Sequence, residues 1–250
     1  GGAAVLASIQ PQPVEKEKDG TLCLTKLKRY VKPVDPHFAR TKLLSLENTI
    51  NGKVLPLSYL ADARAFANEY ELSLHLDGAR VYNAAVALDV DIKEISQYFD
   101  SMTICLSKGL GAPIGSLILG SATLIEKARR WRKVLGGGMR QVGILAAAGK
   151  IALMDNIVKL KEDHQNAVYL ANALNSVSGV DVDLSQVQTN MVFVKLESQI
   201  DVQKVALALK QKDILITPNH HMRLVTHLDI TEKDIDVFIE EFERLISKYY

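Results

Sequence analysis

The chain has 250 residues, 48% of them hydrophobic, and a formal net charge of +1, a composition typical of a globular protein with one large domain or a large and a small one. The balanced charge gives no electrostatic reason to expect nucleic acid or an anionic membrane as a partner. We expect no membrane-spanning helix, which needs a run of roughly 18 to 20 apolar residues, and no signal peptide. The two cysteines make no disulfide framework, so we expect a reducing compartment, the cytosol.

The first half of the chain alternates between strand-like and helix-like patterns. The apolar run at 3–9 predicts a strand, and a turn follows at 15–20. Further strands are predicted at 41–48, 72–77, 101–107 and 116–120, and helices at 21–31, 57–70 and 92–99. Cys105, inside an apolar strand pattern, is expected to be a reduced thiol in the core. The alternation favours parallel βαβ units and a sheet covered on both faces.

The second half begins with a basic helix from residue 122 that breaks at three consecutive glycines, 136–138. A helical pattern follows over 142–174, and we place a domain boundary near residue 155, which gives domains at 1–155 and 156–250. The second domain is predicted to contain strands at 190–196, 214–218 and 222–228, and helices at 202–212 and 232–250. Thr231 and Asp234 would cap the last helix. This order predicts a small α+β domain with an antiparallel component.

Two predicted strands end in residues that chemistry could use. One strand leads into Asp77-Gly78-Ala79-Arg80 and the next into Ser107-Lys108-Gly109, and ligands of open α/β sheets lie at the carboxyl ends of strands. Considered alone, Asp77 would be interpreted as a turn former. Lys108 would be interpreted as a solvated surface lysine, and Arg80 as a salt-bridge partner.

Together, and 31 residues apart, Asp77 and Lys108 suit pyridoxal 5'-phosphate (PLP). The lysine would form a Schiff base with the aldehyde of PLP, and the carboxylate would keep the ring nitrogen protonated. The glycines after Lys108 would let the backbone approach a cofactor.

Four stretches resemble the low-specificity L-threonine aldolases, which are PLP enzymes of the aspartate-aminotransferase-like fold type I. They are LHLDGARVYNAAVAL, TICLSKGLGAPIGSLILG, RRWRKVLGGGMRQVGILAAAG and RLVTHLD, and the resemblance extends over the whole chain. It implies an α/β large domain with a mostly parallel sheet and a small α+β C-terminal domain. It also implies cleavage of L-threonine or L-allo-threonine to glycine and acetaldehyde.

The resemblance assigns cofactor contacts to five residues. Lys108 would bind PLP covalently, Asp77 would hold the ring nitrogen, and Arg80 would contact the cofactor or the substrate carboxylate. Lys133 and Arg140 match positions that approach the phosphate of a neighbouring subunit's site, which implies a homotetramer built from dimers.

The resemblance assigns the substrate α-carboxylate to Arg223, with Arg80 as a second contact, and places His37 near the substrate β-hydroxyl. Without it, Arg223 would be an ordinary edge-strand arginine and His37 a loop histidine. No metal site is predicted, because neighbours such as His220 and His221 point in opposite directions on an extended segment.

The sequence departs from the family pattern at two places. Ile50 stands where members commonly have histidine. Family chains also have roughly another third of this length before Gly1, with a phosphate-binding loop and a histidine that stacks on the cofactor. We therefore expect a fragment or a nicked product whose partner piece lies elsewhere, with an exposed sheet edge.

Three interpretations remain open at this point. The first is the aldolase, whose catalytic base the sequence does not identify. The second is another fold type I PLP enzyme, namely a β-eliminating lyase, a transaminase or a hydroxymethyltransferase. The third is an inactive fragment.

Overall fold

Seven strands form two separate sheets in the computed structural model, which describes residues 1–250. The strands are β1 (Leu43–Glu47), β2 (Ser73–Gly78), β3 (Ser101–Cys105), β4 (Ser116–Gly120), β5 (Val180–Asp181), β6 (Met191–Leu196) and β7 (His221–Val225). All strands predicted from the sequence are present except those at 3–9 and 214–218.

Ten α-helices connect and cover the strands. They are α1 (Gly2–Ala7), α2 (Leu24–Leu27), α3 (Leu57–Glu69), α4 (Val81–Leu88), α5 (Ile92–Ser96), α6 (Ala122–Val134), α7 (Gly143–Met154), α8 (Leu160–Asn175), α9 (Val202–Lys210) and α10 (Glu232–Ile246). Short 3-10 helices lie at Lys28–Tyr30, Ile157–Lys159, Leu184–Gln186 and Ser247–Tyr249. None of these helices combines the length and the apolar character that crossing a membrane requires.

The first sheet has the order β1-β2-β3-β4. β1, β2 and β3 run parallel, and β4 is antiparallel to β3, so the mostly parallel sheet predicted from the sequence is confirmed. Parallel neighbours need a crossover, which α3 provides between β1 and β2 and α4 with α5 between β2 and β3. The carboxyl ends of three neighbouring strands therefore meet at one edge.

The two faces of the first sheet differ in character. One face is apolar and buried under the crossover helices, with Leu44, Leu46, Leu74, Leu76, Met102 and Ile104 in the core. The opposite face is polar and partly solvent-exposed, with Ser45, Glu47, His75, Asp77, Thr103 and Cys105. The prediction of a sheet covered on both faces is therefore wrong within this chain, because alternate residues along the three parallel strands are polar. The prediction that Cys105 is a core thiol is wrong for the same reason.

The second sheet is antiparallel and has the order β5-β6-β7. α8, α9 and α10 pack with it around a second core, which confirms the small α+β unit. Thr231 and Asp234 form a capping box at the start of α10, as predicted. The two cores divide within α8, between Leu160 and Ala167. The domain boundary near residue 155 stays a prediction, and α7 ends just before it.

Two predicted strands are absent, for a common reason. Residues 3–9 begin as the exposed helix α1, and 214–218 are irregular. A strand is stable only when a neighbour pairs with its backbone, and no strand lies beside either segment. Ile214 and Ile216 still pack against the second core, which explains the apolar residues at 214–218.

Candidate active site

Asp77 and Lys108 lie at the same edge of the first sheet. Asp77 is the penultimate residue of β2 and pairs in register with Thr103 of the parallel strand β3. Lys108 comes three residues after Cys105, where β3 ends. The prediction that the two strand ends are neighbours is confirmed.

The Asp77 carboxylate is exposed and held by the turn that follows it. The backbone N–H of Ala79 donates a hydrogen bond of 3.1 Å to Asp77 Oδ1, and no protein donor engages Oδ2. Gly78 is required here, because a Cβ at this position would lie 2.5 Å from the carbonyl oxygen of Thr103. Asp77 thus presents one carboxylate oxygen to a ligand.

Lys108 lies in a tight turn that we call the Lys108 turn, residues 106–112. Gly111 N–H donates to the Lys108 carbonyl at 2.9 Å, and Ala112 N–H donates to the Leu106 carbonyl at 2.9 Å. Gly111 has a φ of +73°, a conformation that favours glycine and stops a helix from forming. The turn presents the exposed Lys108 side chain without an ion pair inside the chain.

The segment that leads into α8 holds the Lys108 turn through a hydrogen bond and a packing contact. The side-chain amide of Asn156 donates a hydrogen bond of 2.8 Å to the carbonyl of Leu110, and Lys159 Nζ donates to Asn156 Oδ1 at 2.9 Å. Gly109 packs closely on Leu160, since a Cβ on Gly109 would lie 2.9 Å from Leu160 Cδ2. Sequence reasoning missed Asn156, because an asparagine between two helices indicates only a cap.

A buried polar cluster joins α8 to α4, which follows Asp77. Asn83 is 3% exposed, and its Nδ2 donates to His164 Nε2 at 3.2 Å. Burial lowers the pKa of His164 to about 4, so the ring is neutral and can accept this bond. Asp163 is 2% exposed, its Oδ2 has no partner, and burial, followed by the charge of Glu162, raises its pKa to about 6.

Arg80, at the start of α4, and Arg223, on β7 of the second sheet, lie within electrostatic range of each other. Arg80 is half-buried at the start of α4, and Arg223 is on β7 with an exposed side chain. Burial lowers the pKa of Arg80, and the positive charge of Arg223 lowers it further. Neither guanidinium has a salt bridge within the chain, and two guanidinium groups without a partner suit a carboxylate or another anion.

Glu47, which sequence reasoning did not single out, belongs to the same cluster of charges. It ends β1 and is the register partner of Asp77. Burial raises the pKa of Glu47, and so does Asp77, whereas Arg80 and Lys108 oppose the shift. Glu47 was missed because nothing in the local sequence shows which residue of β1 lies beside Asp77.

Three predicted residues form no hydrogen bond or ion pair with Asp77 or Lys108. His37 is exposed, and its Nδ1 lies 2.7 Å from Asp35 Oδ1. Lys133 is in the last turn of α6 and Arg140 lies in the segment after it, and both are exposed and without ion pairs.

Ile50 is held in a bridge with Lys53 through two backbone hydrogen bonds of 2.9 and 3.0 Å. A Cβ on Gly20 would lie 2.6 Å from Ile50 Cγ2, so the Ile50 side chain packs against the turn that contains Gly20. The structure therefore gives this side chain a packing role.

The beta-eliminating lyase family model matches residues 1–197. This chain belongs to the beta-eliminating lyase family. Among its relatives, the low specificity L-threonine aldolase of Escherichia coli K12 is 52% identical over 235 residues, which cover 94% of this chain and 69% of the relative. Low-specificity L-threonine aldolase 1 of Arabidopsis thaliana is 38% identical over 255 residues, which cover 98% of this chain and 71% of the relative.

Solved structures show the same fold for this lyase-family chain. The threonine aldolase of Leishmania major has a TM-score of 0.79 at 24% identity, covering 97% of this chain and 72% of that one. A PLP-dependent aminotransferase from Streptococcus suis has a TM-score of 0.68 at 17% identity, and the match covers 95% of this chain and 64% of that one. The chain therefore has the PLP fold type I architecture.

The site residues fit PLP, the cofactor of this family. A lysine amine without an ion pair projects from the Lys108 turn, and a carboxylate oxygen without a donor lies at the end of the neighbouring strand. Lysine and a carboxylate are the groups that hold the PLP aldehyde and ring nitrogen. The polar face beside them is partly solvent-exposed and therefore accessible to a ligand.

Proposed function

We propose that this chain cleaves L-threonine or L-allo-threonine to glycine and acetaldehyde with PLP as cofactor. One observation carries the proposal: Asp77 and Lys108 lie at the ends of neighbouring parallel strands at one sheet edge, and Arg80 and Arg223 lie within electrostatic range of each other nearby. The substrate is a small β-hydroxy-α-amino acid, in line with the names of the relatives.

PLP, when bound, supplies a carbonyl that condenses with amines and a ring that accepts electrons. Lys108 would hold that carbonyl until the substrate amine displaces it, and would take it back after the product leaves. The Asp77 carboxylate would pair with the ring nitrogen and keep it protonated. Arg80 would contact the cofactor or the substrate carboxylate.

Arg223 would bind the substrate α-carboxylate with both arms of its guanidinium. By fixing the carboxylate, Arg223 would orient the bonds at the substrate Cα and so decide which of them breaks. His37 is our candidate for the group that takes the proton of the β-hydroxyl, since Asp35 orients its ring.

The proposed assembly is a homotetramer built from dimers, in which Lys133 and Arg140 approach the phosphate in a neighbouring subunit's site. The support for an interface is a set of exposed apolar side chains on β4, α6 and α7: Leu117, Ile118, Leu119, Trp131, Val134, Ile144 and Ile151. Single exposed apolar residues are common on monomeric proteins, whereas seven on three consecutive elements favour an interface. The proposed compartment is the cytosol, in line with two free cysteines.

The test of the reaction is acetaldehyde release from L-threonine by the PLP-loaded protein, without added keto acid or folate. We expect cleavage, and we expect Lys108→Ala to abolish it. Lys233→Ala, an exposed lysine on α10, is the control and should retain full activity. A requirement for a keto acid would indicate a transaminase, and a requirement for folate would indicate a hydroxymethyltransferase. Release of ammonia would indicate β-elimination. Each of these results would contradict the proposal.

A further inference from the structure

Glu47 and Asp77 stand side by side on neighbouring parallel strands. They are register partners, and paired residues of a parallel sheet point to the same face, with the strands about 4.8 Å apart. The preceding pair, Leu46 and Leu76, is buried on the opposite face, which places both carboxylates on the open polar face. The edge where a cofactor would bind therefore carries two carboxylates.

The environment of Glu47 differs from that of Asp77. Glu47 is half-buried whereas Asp77 is exposed, and no salt bridge within the chain engages the Glu47 carboxylate. The charged groups that act on it are Asp77 from β2, Arg80 from the start of α4, Lys108 from the Lys108 turn, and Lys16 from the N-terminal segment. Burial and Asp77 raise the pKa of Glu47, and the three cations oppose this rise.

Repulsion between two carboxylates is mutual and weakens when a cation lies between or beside them. A protonated ring nitrogen held by Asp77 is such a cation. Two negative charges hold its proton more tightly than one, so Glu47 would act on the ring nitrogen through Asp77 and without touching it.

We propose that Glu47 is a positioning residue. Its carboxylate provides a second negative charge beside Asp77 and thereby makes the site bind a protonated ring nitrogen more tightly. This inference rests on the proposed function, because it takes Asp77 as the partner of the PLP ring. It adds a residue to the site that local sequence patterns do not reveal.

The test compares Glu47→Gln with the unchanged protein in their affinity for two ligands. One ligand is PLP, and the other is its carbocyclic analogue, in which a C–H group replaces the ring nitrogen. We expect Glu47→Gln to weaken PLP binding roughly tenfold, as the loss of one nearby charge would do, and to leave binding of the analogue unchanged. In addition, the pH at which the absorption spectrum of bound PLP changes should be lower in Glu47→Gln.

Two further variants control for packing and for overall charge. Glu47→Asp keeps the charge and should retain most of the PLP affinity, so it distinguishes charge from shape. Glu69→Gln removes an exposed carboxylate at the end of α3 and should change nothing. Thermal unfolding of each variant verifies that the fold is kept.

The outcomes separate the inference from the proposed function. Equal weakening for both ligands, or no weakening for either, would overturn the role of Glu47 while leaving the PLP site intact. Failure of the unchanged protein to bind PLP would overturn the proposed function together with this inference.

Discussion

Asn156 donates a hydrogen bond of 2.8 Å to the carbonyl oxygen of Leu110, two residues after Lys108. Both residues are buried, at 8% and 4% exposed, so this carbonyl has no access to water as an alternative partner. The bond links the segment between α7 and α8 to the backbone that carries the reactive amine. The position of Lys108 therefore depends on a residue that lies far from it in sequence.

Asn156→Ala should weaken both folding and catalysis. The Leu110 carbonyl would be left buried without a donor, which costs about 1–3 kcal/mol, and the Lys108 turn would lose a support. Urea unfolding measures the stability loss, and acetaldehyde release measures kcat. Asn156→Asp, which replaces the donor with an acceptor, should be at least as damaging. Full activity in Asn156→Asp would show that this bond does not position Lys108.

Gly109→Ala should strain the Lys108 turn from its packed side. The added Cβ would lie 2.9 Å from Leu160 Cδ2, and Leu160 is fully buried in the first core, so the turn or the leucine must move. Overpacking of this kind costs about 1–3 kcal/mol. Gly143→Ala is the matched control, because nothing lies within 4 Å of its Cβ position and alanine favours α7. Equal stability of the two variants would contradict the packing argument.

Asp163→Asn should stabilise the protein increasingly as the pH rises from about 4 to 6. The pKa of Asp163 is raised from 3.8 to about 6 in the folded protein, so between these values the unfolded chain ionises and the folded chain does not. The free energy of unfolding falls over this pH window, by about 3 kcal/mol if the full pKa shift of Asp163 contributes. Asparagine does not ionise, so Asp163→Asn does not lose this stability.

The measurement for Asp163 is urea unfolding at pH 4, 5, 6 and 7. The stability difference between Asp163→Asn and the unchanged protein should grow up to pH 6 and then level off. His164, whose pKa is lowered to about 4, changes stability in the opposite direction in both proteins and cancels in the difference. Glu243→Gln, an exposed carboxylate on α10, should show no such trend. A difference that is constant with pH would argue against ionisation of Asp163 as the cause.

Arg223→Lys should raise the KM for L-threonine while the absorption spectrum of bound PLP stays unchanged. Lysine keeps the charge but loses the two-armed geometry that matches a carboxylate, and we expect an increase of roughly tenfold, or about 1.4 kcal/mol. Arg244→Lys, on the exposed side of α10, serves as the control. An unchanged KM in Arg223→Lys would remove Arg223 from the substrate site.

Several parts of the fold were predictable because they depend on local patterns. Short apolar runs predicted β1, β2 and β3, and the Thr231–Asp234 cap predicted the start of α10. The placement of Asp77 and Lys108 at the same sheet edge was predictable, since neighbouring parallel strands bring their carboxyl ends together. The helix α1 and the irregular segment 214–218 were not predictable, because a strand also needs a neighbour that the sequence does not display.

The sequence by itself determined the chemistry of the site: a lysine and a carboxylate at successive strand ends, and motifs of a PLP family around them. Only the tertiary structure decided that Glu47 lies beside Asp77, that Asn156 holds the Lys108 turn, and that Arg223 approaches Arg80. These contacts join segments far apart in the chain, so strand register and the packing of α8 fix them, and no local pattern of residues encodes either.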